Sequence, residues 1–191
     1  MITVSKNNRY RKNIGKYFSF LTANQWSYLA LILAVLSAYF IINEKFLVGA
    51  VLFAVTGFID FIDGAVARYK KQATKKGAYL DTILDRYTEA IIIFALMFVS
   101  IPTIFPAQLW LFLYLFGSMM TTYAKAASAE KKLVKKELGT GLLQRQDRIL
   151  LLTAALFSAV SSKVLLGYFI IVLALLSNIT ALQRIYSSMK R

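Results

Sequence analysis

The sequence predicts an all-α integral membrane protein with six transmembrane helices, preceded by a short interfacial amphipathic helix. Three observations predict it. Hydrophobic residues make up 58% of the 191-residue chain and mean hydropathy is +0.59, too apolar for a soluble domain of this length. The apolar residues gather into six stretches, at about 25–42, 47–59, 78–99, 107–124, 149–161 and 164–183, each read as a span. The 23 Lys and Arg, which outnumber nine Asp and Glu, crowd into alternate connections between those stretches.

Residues 1–20 form the first unit, a basic segment in which Arg9, Arg11, Lys12 and Lys16 interleave with Tyr10, Ile14, Tyr17, Phe18 and Phe20. That pattern suits a helix lying along a membrane surface, with a disordered basic tail as the alternative. The segment lacks the apolar core and small-residue cleavage site of a signal peptide, so no processing is expected. Residues 21–191 form the second unit, a single polytopic membrane domain. Its first span opens at LTANQWS. The second and third spans carry polar residues well into helical sequence, with residues 69–76 as the turn between them. Pro102 and Pro106 bracket a short loop, and a basic loop at about 126–144, containing Gly139 and Gly141, precedes the fifth span.

The charge distribution sets the expected orientation. One side collects the Lys and Arg of residues 6–16, 68–76, 125–148 and 184–191, and the other holds Lys45 and Lys163. The positive-inside rule then places both termini, the acidic segment described next and the long loop on the cytoplasmic face of the cell membrane. Anionic lipid headgroups and phosphorylated ligands account for the net charge of +14 without nucleic acid.

Asp60, Asp63, Asp81 and Asp85 are four of the nine acidic residues and lie beside membrane-spanning sequence. Carboxylates there are costly unless a positive partner neutralises them, so they read as a cation site. The three-residue separation of Asp60 and Asp63 puts them on one helix face, and the four-residue separation of Asp81 and Asp85 does the same on the next helix. The chain has no cysteine and no histidine, so any metal ligands are oxygens, which favours Mg²⁺, Mn²⁺ or Ca²⁺ over zinc. A general base must likewise be a carboxylate, a lysine or a tyrosine. Four carboxylates suffice to hold two ions and leave an oxygen to take a proton.

The full pattern reads D-x-x-D-G-x-x-A-R-x8-G-x-x-x-D-x-x-x-D, formed by Asp60, Asp63, Gly64, Ala67, Arg68, Gly77, Asp81 and Asp85. It resembles the signature of the CDP-alcohol phosphotransferases, membrane enzymes that join a CDP-activated lipid to a polar alcohol and release CMP. The resemblance implies Asp60, Asp63, Asp81 and Asp85 as ligands of two Mg²⁺ or Mn²⁺ ions, with Asp85 also the base. Pairing of Asp85 with Arg86 or Arg68 is the structural alternative. The resemblance also implies that CDP is held by Asn24, Asp60, Gly64, Arg68 and Thr74. Ala23 stands where the family's T-P-N start has proline. Gly64 is equally explained by close helix packing, and Arg68 by an anchor at the interface.

On the acceptor side, Arg145 and Arg148 share a helix face and are suited to clamp one phosphate through forked hydrogen bonds. Lys125 and Arg184 fall at a similar depth, and four such cations point to a phosphorylated alcohol; the alternative is four independent interfacial anchors. YAKAASAE, QRQDRILLL and LQRIYSS are similar to stretches of phosphatidylinositol-phosphate synthases and their archaeal counterparts. This implies transfer from CDP-diacylglycerol or CDP-archaeol to inositol phosphate, by a homodimer. Ala127 stands where those enzymes commonly carry arginine, which keeps open glycerol phosphate as acceptor, or condensation of CDP-inositol with inositol phosphate, a group that DRYTEA also resembles. A cation transporter is the reading from another class, since intramembrane acids line ion paths too.

Overall fold

A computed structural model describes residues 14–70, 74–133 and 141–190. Among these the protein is all-helical, with α1 Ala23–Ile42, α2 Phe46–Tyr69, α3 Lys75–Leu96, α4 Ala107–Glu130, α5 Arg145–Ser161 and α6 Lys163–Met189. Three of them, α1, α2 and α6, are long and apolar enough to cross a membrane. The others are more polar or shorter: α3 contains Asp81, Asp85, Arg86 and Glu89, and α5 has 17 residues. Each helix falls on an expected apolar stretch, but α2 runs ten residues beyond its stretch, α3 ends three residues short of its own, and α5 starts four residues before. Asp60 and Asp63, and Arg145 to Arg148, therefore lie on helical extensions of apolar segments.

The helices form two layered halves. α1 packs against both α2 and α3, while α6 packs against both α4 and α5; contacts between α2 and α5, and fewer between α3 and α4, join the halves. Small residues allow the close approaches. Ser37 donates to the Gly49 carbonyl at 2.7 Å between α1 and α2. Between α4 and α6, a Cβ on Gly117 would stand 2.8 Å from the backbone nitrogen of Asn178. Asn178 donates to the Leu113 carbonyl at 2.8 Å across that same seam. Large apolar side chains such as Ile32, Tyr39, Phe94, Phe112 and Leu182 face outward, as expected where the solvent is hydrocarbon.

The expected amphipathic segment lies largely outside the described residues, as do residues 71–73 of the first turn, 134–140 of the basic loop, and Arg191. Its described end is a helical turn over residues 14–17. Ile14 and Phe18 pack on Trp26, Ile59, Ile62 and Val66, and Trp26 Nε1 donates to the Phe18 carbonyl at 3.0 Å. This end is held against α1 and α2, whereas Tyr17 and Phe20 are exposed. The chain then enters α1 through a reciprocal cap. Thr22 accepts from the Gln25 backbone and the Gln25 side chain accepts from the Thr22 backbone, so the turn forms without the proline that Ala23 replaces.

Candidate active site

Helical register brings the acids together as their spacing predicts. Asp60 and Asp63 project from the second half of α2, and Asp81 and Asp85 from the first half of α3. Carboxylate oxygens of Asp60, Asp63 and Asp81 lie within 4.8 Å of one another. The cluster lines a cavity of about 730 Å³ that also receives Gly64, Arg68 and Arg145. Asp85 lines the same cavity outside that trio, and its carboxylate accepts from Arg145 Nη2. Arg145 Nη1 spans both oxygens of Asp60 at 3.0 and 3.1 Å. The pairing alternative for Asp85 thus finds a different partner, because α5 delivers a guanidinium from the facing half while Arg86 turns to Glu89.

One hydroxyl that the sequence reading missed completes the acidic site. Ser27 of α1 donates to Asp63 Oδ2 at 2.8 Å, with both side chains buried. This orients the most enclosed of the clustered carboxylates, in the way outer partners fix ligand geometry. A serine on an apolar helix carries no signal of its own; only the packing of α1 on α2 reveals it.

The nucleotide-side residues divide. A Cβ on Gly64 would meet only the Arg68 guanidinium, at 3.4 Å or beyond, so helix packing does not require glycine there and its face opens on the cavity. Asn24 and Thr74 meet at a different point. A Cβ on Gly77 would stand 3.2 Å from Thr74 Oγ1 and 3.6 Å from Asn24 Oδ1. Neither is among the residues that line the acidic cavity. Thr74 is the N-cap of α3, its hydroxyl accepting from the Gly77 backbone at 3.0 Å, which gives it a structural role by itself.

A second cavity, of about 380 Å³, adjoins the first and is lined by Arg86, Lys125, Arg145, Arg148 and Arg184, with Asp85 as its acid. All four acceptor-side cations predicted from sequence therefore converge, drawn from α4, α5 and α6, and Arg86 of α3 joins them. The two arginines of the expected clamp both line this cavity but have separate protein partners. Arg145 is bonded to Asp60 and Asp85, whereas Arg148 gives Nε to Glu89 at 3.1 Å and Nη1 to Thr121 at 3.4 Å. The physical reason is that each partly or fully buried guanidinium takes the carboxylate its own surroundings offer. Local structure holds the arginine-bearing turn in place. Gln144 caps α5 through Asp147 at 2.9 Å, and the backbone of Leu142 and Leu143 donates to Gln183 and Thr180 of α6.

Glu89, which bonds Arg86 and Arg148, was not nominated from the sequence. It is a lone acid at the head of the run EAIIIFAL, and a carboxylate entering so apolar a segment was the available signal.

A helical membrane-type fold with a carboxylate cluster between two halves and an adjoining cationic cavity defines the class. The chain belongs to the CDP-alcohol phosphatidyltransferase family, whose sequence profile matches residues 20–182. It is 32% identical to the archaetidylinositol phosphate synthase of Pyrococcus horikoshii, over 94% of this chain and 91% of that protein. It is 33% identical to the bifunctional IPC transferase and DIPP synthase of Aquifex aeolicus, over 89% of this chain but 39% of that protein. In fold it is similar to the phosphatidylinositol phosphate synthase of Mycobacterium tuberculosis in a crystal structure with CDP-DAG bound. There the TM-score is 0.81 at 22% identity, covering 94% of each chain.

Proposed function

We propose that this protein transfers the lipid-phosphate group of a CDP-lipid to a hydroxyl of inositol phosphate and releases CMP. The observation that carries the proposal is the shared wall between the two cavities: Asp85 and Arg145 line both. A donor in the acidic cavity and a phosphorylated acceptor in the cationic one would meet at those two side chains.

The acidic cavity has the two characters a CDP-lipid needs. Asp60, Asp63, Asp81 and Arg68 are among its charged lining residues, and Ala54, Phe58, Leu84, Ile149 and Leu150 are among its apolar ones. That apolar lining favours a lipid donor over CDP-inositol, which has no acyl or isoprenoid chain to bury. Asn24 and Thr74 are assigned to the nucleotide side at the N-terminus of α3, where backbone N–H groups favour anions.

The all-oxygen trio Asp60, Asp63 and Asp81 fits Mg²⁺ or Mn²⁺, and two such ions, with Asp85 contributing, would neutralise the diphosphate and the leaving phosphate of CMP. The chain's own groups do the rest. Asp85 takes the acceptor's hydroxyl proton as the acceptor oxygen bonds the lipid-bearing phosphorus and the bond from that phosphorus to the CMP oxygen breaks. Arg148, Lys125 and Arg184 hold the acceptor phosphate, and Arg145 holds Asp85 and Asp60 at the junction. Six spans, cytoplasmic termini and active site in the cell membrane, and a homodimer complete this reading.

The test is an acceptor screen with purified protein, CDP-diacylglycerol or CDP-archaeol, and Mg²⁺, scoring CMP release. Inositol phosphate is expected to support turnover well above free inositol or serine. Equal turnover with free inositol would remove the acceptor-phosphate assignment while leaving the transferase assignment intact. Preference for glycerol phosphate would change the headgroup. CMP release with CDP-inositol in place of the CDP-lipid would favour the condensing alternative.

A further inference from the structure

We infer that Glu89 is a positioning residue for acceptor binding, holding Arg148 and Arg86 in the orientation in which they wall the cationic cavity. The inference rests on the assignment of that cavity to the acceptor phosphate.

Glu89 lies on α3 one turn beyond Asp85 and is 1% exposed. Its two oxygens are fully engaged. Oε1 accepts from Tyr114 at 2.8 Å and from Arg148 Nε at 3.1 Å, and Oε2 accepts from Ser118 and Arg86 Nη1, each at 2.8 Å. Four bonds use the acceptor capacity of a carboxylate, so Glu89 has no free valence to offer a substrate. Arg148, 2% exposed, also reaches Thr121, whose carbonyl accepts from Arg184 Nη1 at 2.9 Å. One buried acid is therefore linked to three of the five cations around the cavity. With Nε and one N–H of Nη1 of Arg148 committed inside the protein, what this arginine can offer an occupant is Nη2 and the second N–H of Nη1.

Removing the Glu89 charge has two opposite consequences. The cavity becomes more positive, which favours an anion. The guanidinium groups lose the anchor that aims them, and they repel one another. Charge-assisted hydrogen bonds depend steeply on alignment, whereas the Glu89 charge acts from behind guanidinium groups that lie between it and the cavity. Positioning is the larger effect, and acceptor binding should weaken.

The experiment compares wild type, Glu89→Gln, Arg148→Ala, their double variant and Arg184→Ala as full chains, with inositol phosphate, CDP-lipid and Mg²⁺. Glu89→Gln should raise the acceptor KM roughly ten- to a hundred-fold, as for loss of a charge-assisted bond, with the donor KM within about two-fold of wild type. In the Arg148→Ala background the same substitution should add less than about three-fold, because the share of its effect that runs through Arg148 is gone and only the share through Arg86 remains. An unchanged or lowered acceptor KM, or fully additive effects, overturns the inference. If Arg184→Ala, which does not touch Glu89, also leaves the acceptor KM unchanged, the acceptor assignment of the cavity falls instead. Should Glu89→Gln fail to fold, Tyr114→Phe and Ser118→Ala, which each remove one bond to Glu89, must raise the acceptor KM without raising the donor KM; no rise overturns the inference as well.

Discussion

The two cavities manage buried charge in opposite ways. In the acidic one, three carboxylates crowd within 4.8 Å while Arg145 serves Asp60 and Asp85, so negative charge exceeds positive among the groups that line it. The walls stay open enough that Asp60 keeps a quarter of its side chain exposed. Around the other cavity the balance is reversed in sign, yet its deepest charges are matched: Glu89 and Arg148 are nearly inaccessible and bonded to each other. Unmatched charge of one sign is tolerated where a ligand of the opposite sign completes it, and matched charge is what sets the scaffold behind it.

The largest effect should follow from removing one acid of the unmatched cluster. Asp60→Ala or Asp81→Ala is expected to abolish CMP release and to lose the heat of Mn²⁺ binding in titration calorimetry, because the remaining oxygens under-coordinate a dication. Wild-type turnover in excess chelator would show that the cluster is not a metal site. That outcome would make the two cavities alike, each completed by protein groups alone.

A smaller, differently shaped loss is expected at the shared wall. Asp85→Asn keeps the size of the side chain but cannot accept a proton, so kcat should fall by about 10²- to 10⁴-fold with CDP-lipid binding retained. Single-turnover CMP release alongside equilibrium binding of CDP-lipid separates the two. Near-normal turnover would move the base elsewhere in the cavity pair.

The mildest change is expected at Ser27, whose hydroxyl orients Asp63. Ser27→Ala should weaken Mn²⁺ binding by roughly ten-fold while leaving kcat near normal at saturating metal, as for loss of an outer partner of a metal ligand. An unchanged affinity would mean that helix packing alone orients Asp63, and that the acidic side depends less on its surroundings than the cationic side does.

How legible each cavity was follows from how far apart its residues lie in the chain. Asp60, Asp63, Asp81 and Asp85 sit within 26 residues on two consecutive helices, and helical periodicity alone predicts which face each pair occupies. The cationic wall is drawn from α3, α4, α5 and α6. Its members could be nominated by charge and depth, but not paired. Arg145 and Arg148 share a face of α5 as the spacing predicts, and still reach different carboxylates, because α2 and α3 present Asp60 and Asp85 to one while Glu89 meets the other.

The sequence by itself determined the all-helical class, the six helical segments and the acidic constellation, because hydrophobic periodicity and i, i+3 and i, i+4 spacing are local properties of one or two helices. Only the tertiary structure decided that Gly64 faces a cavity, that Ser27 serves Asp63, that Arg145 stands between two cavities, and that Glu89 gathers Arg86, Arg148, Tyr114 and Ser118. Those pairings join residues up to 85 positions apart. Which partner wins depends on how the α1–α3 half docks against the α4–α6 half, and no local pattern records that docking.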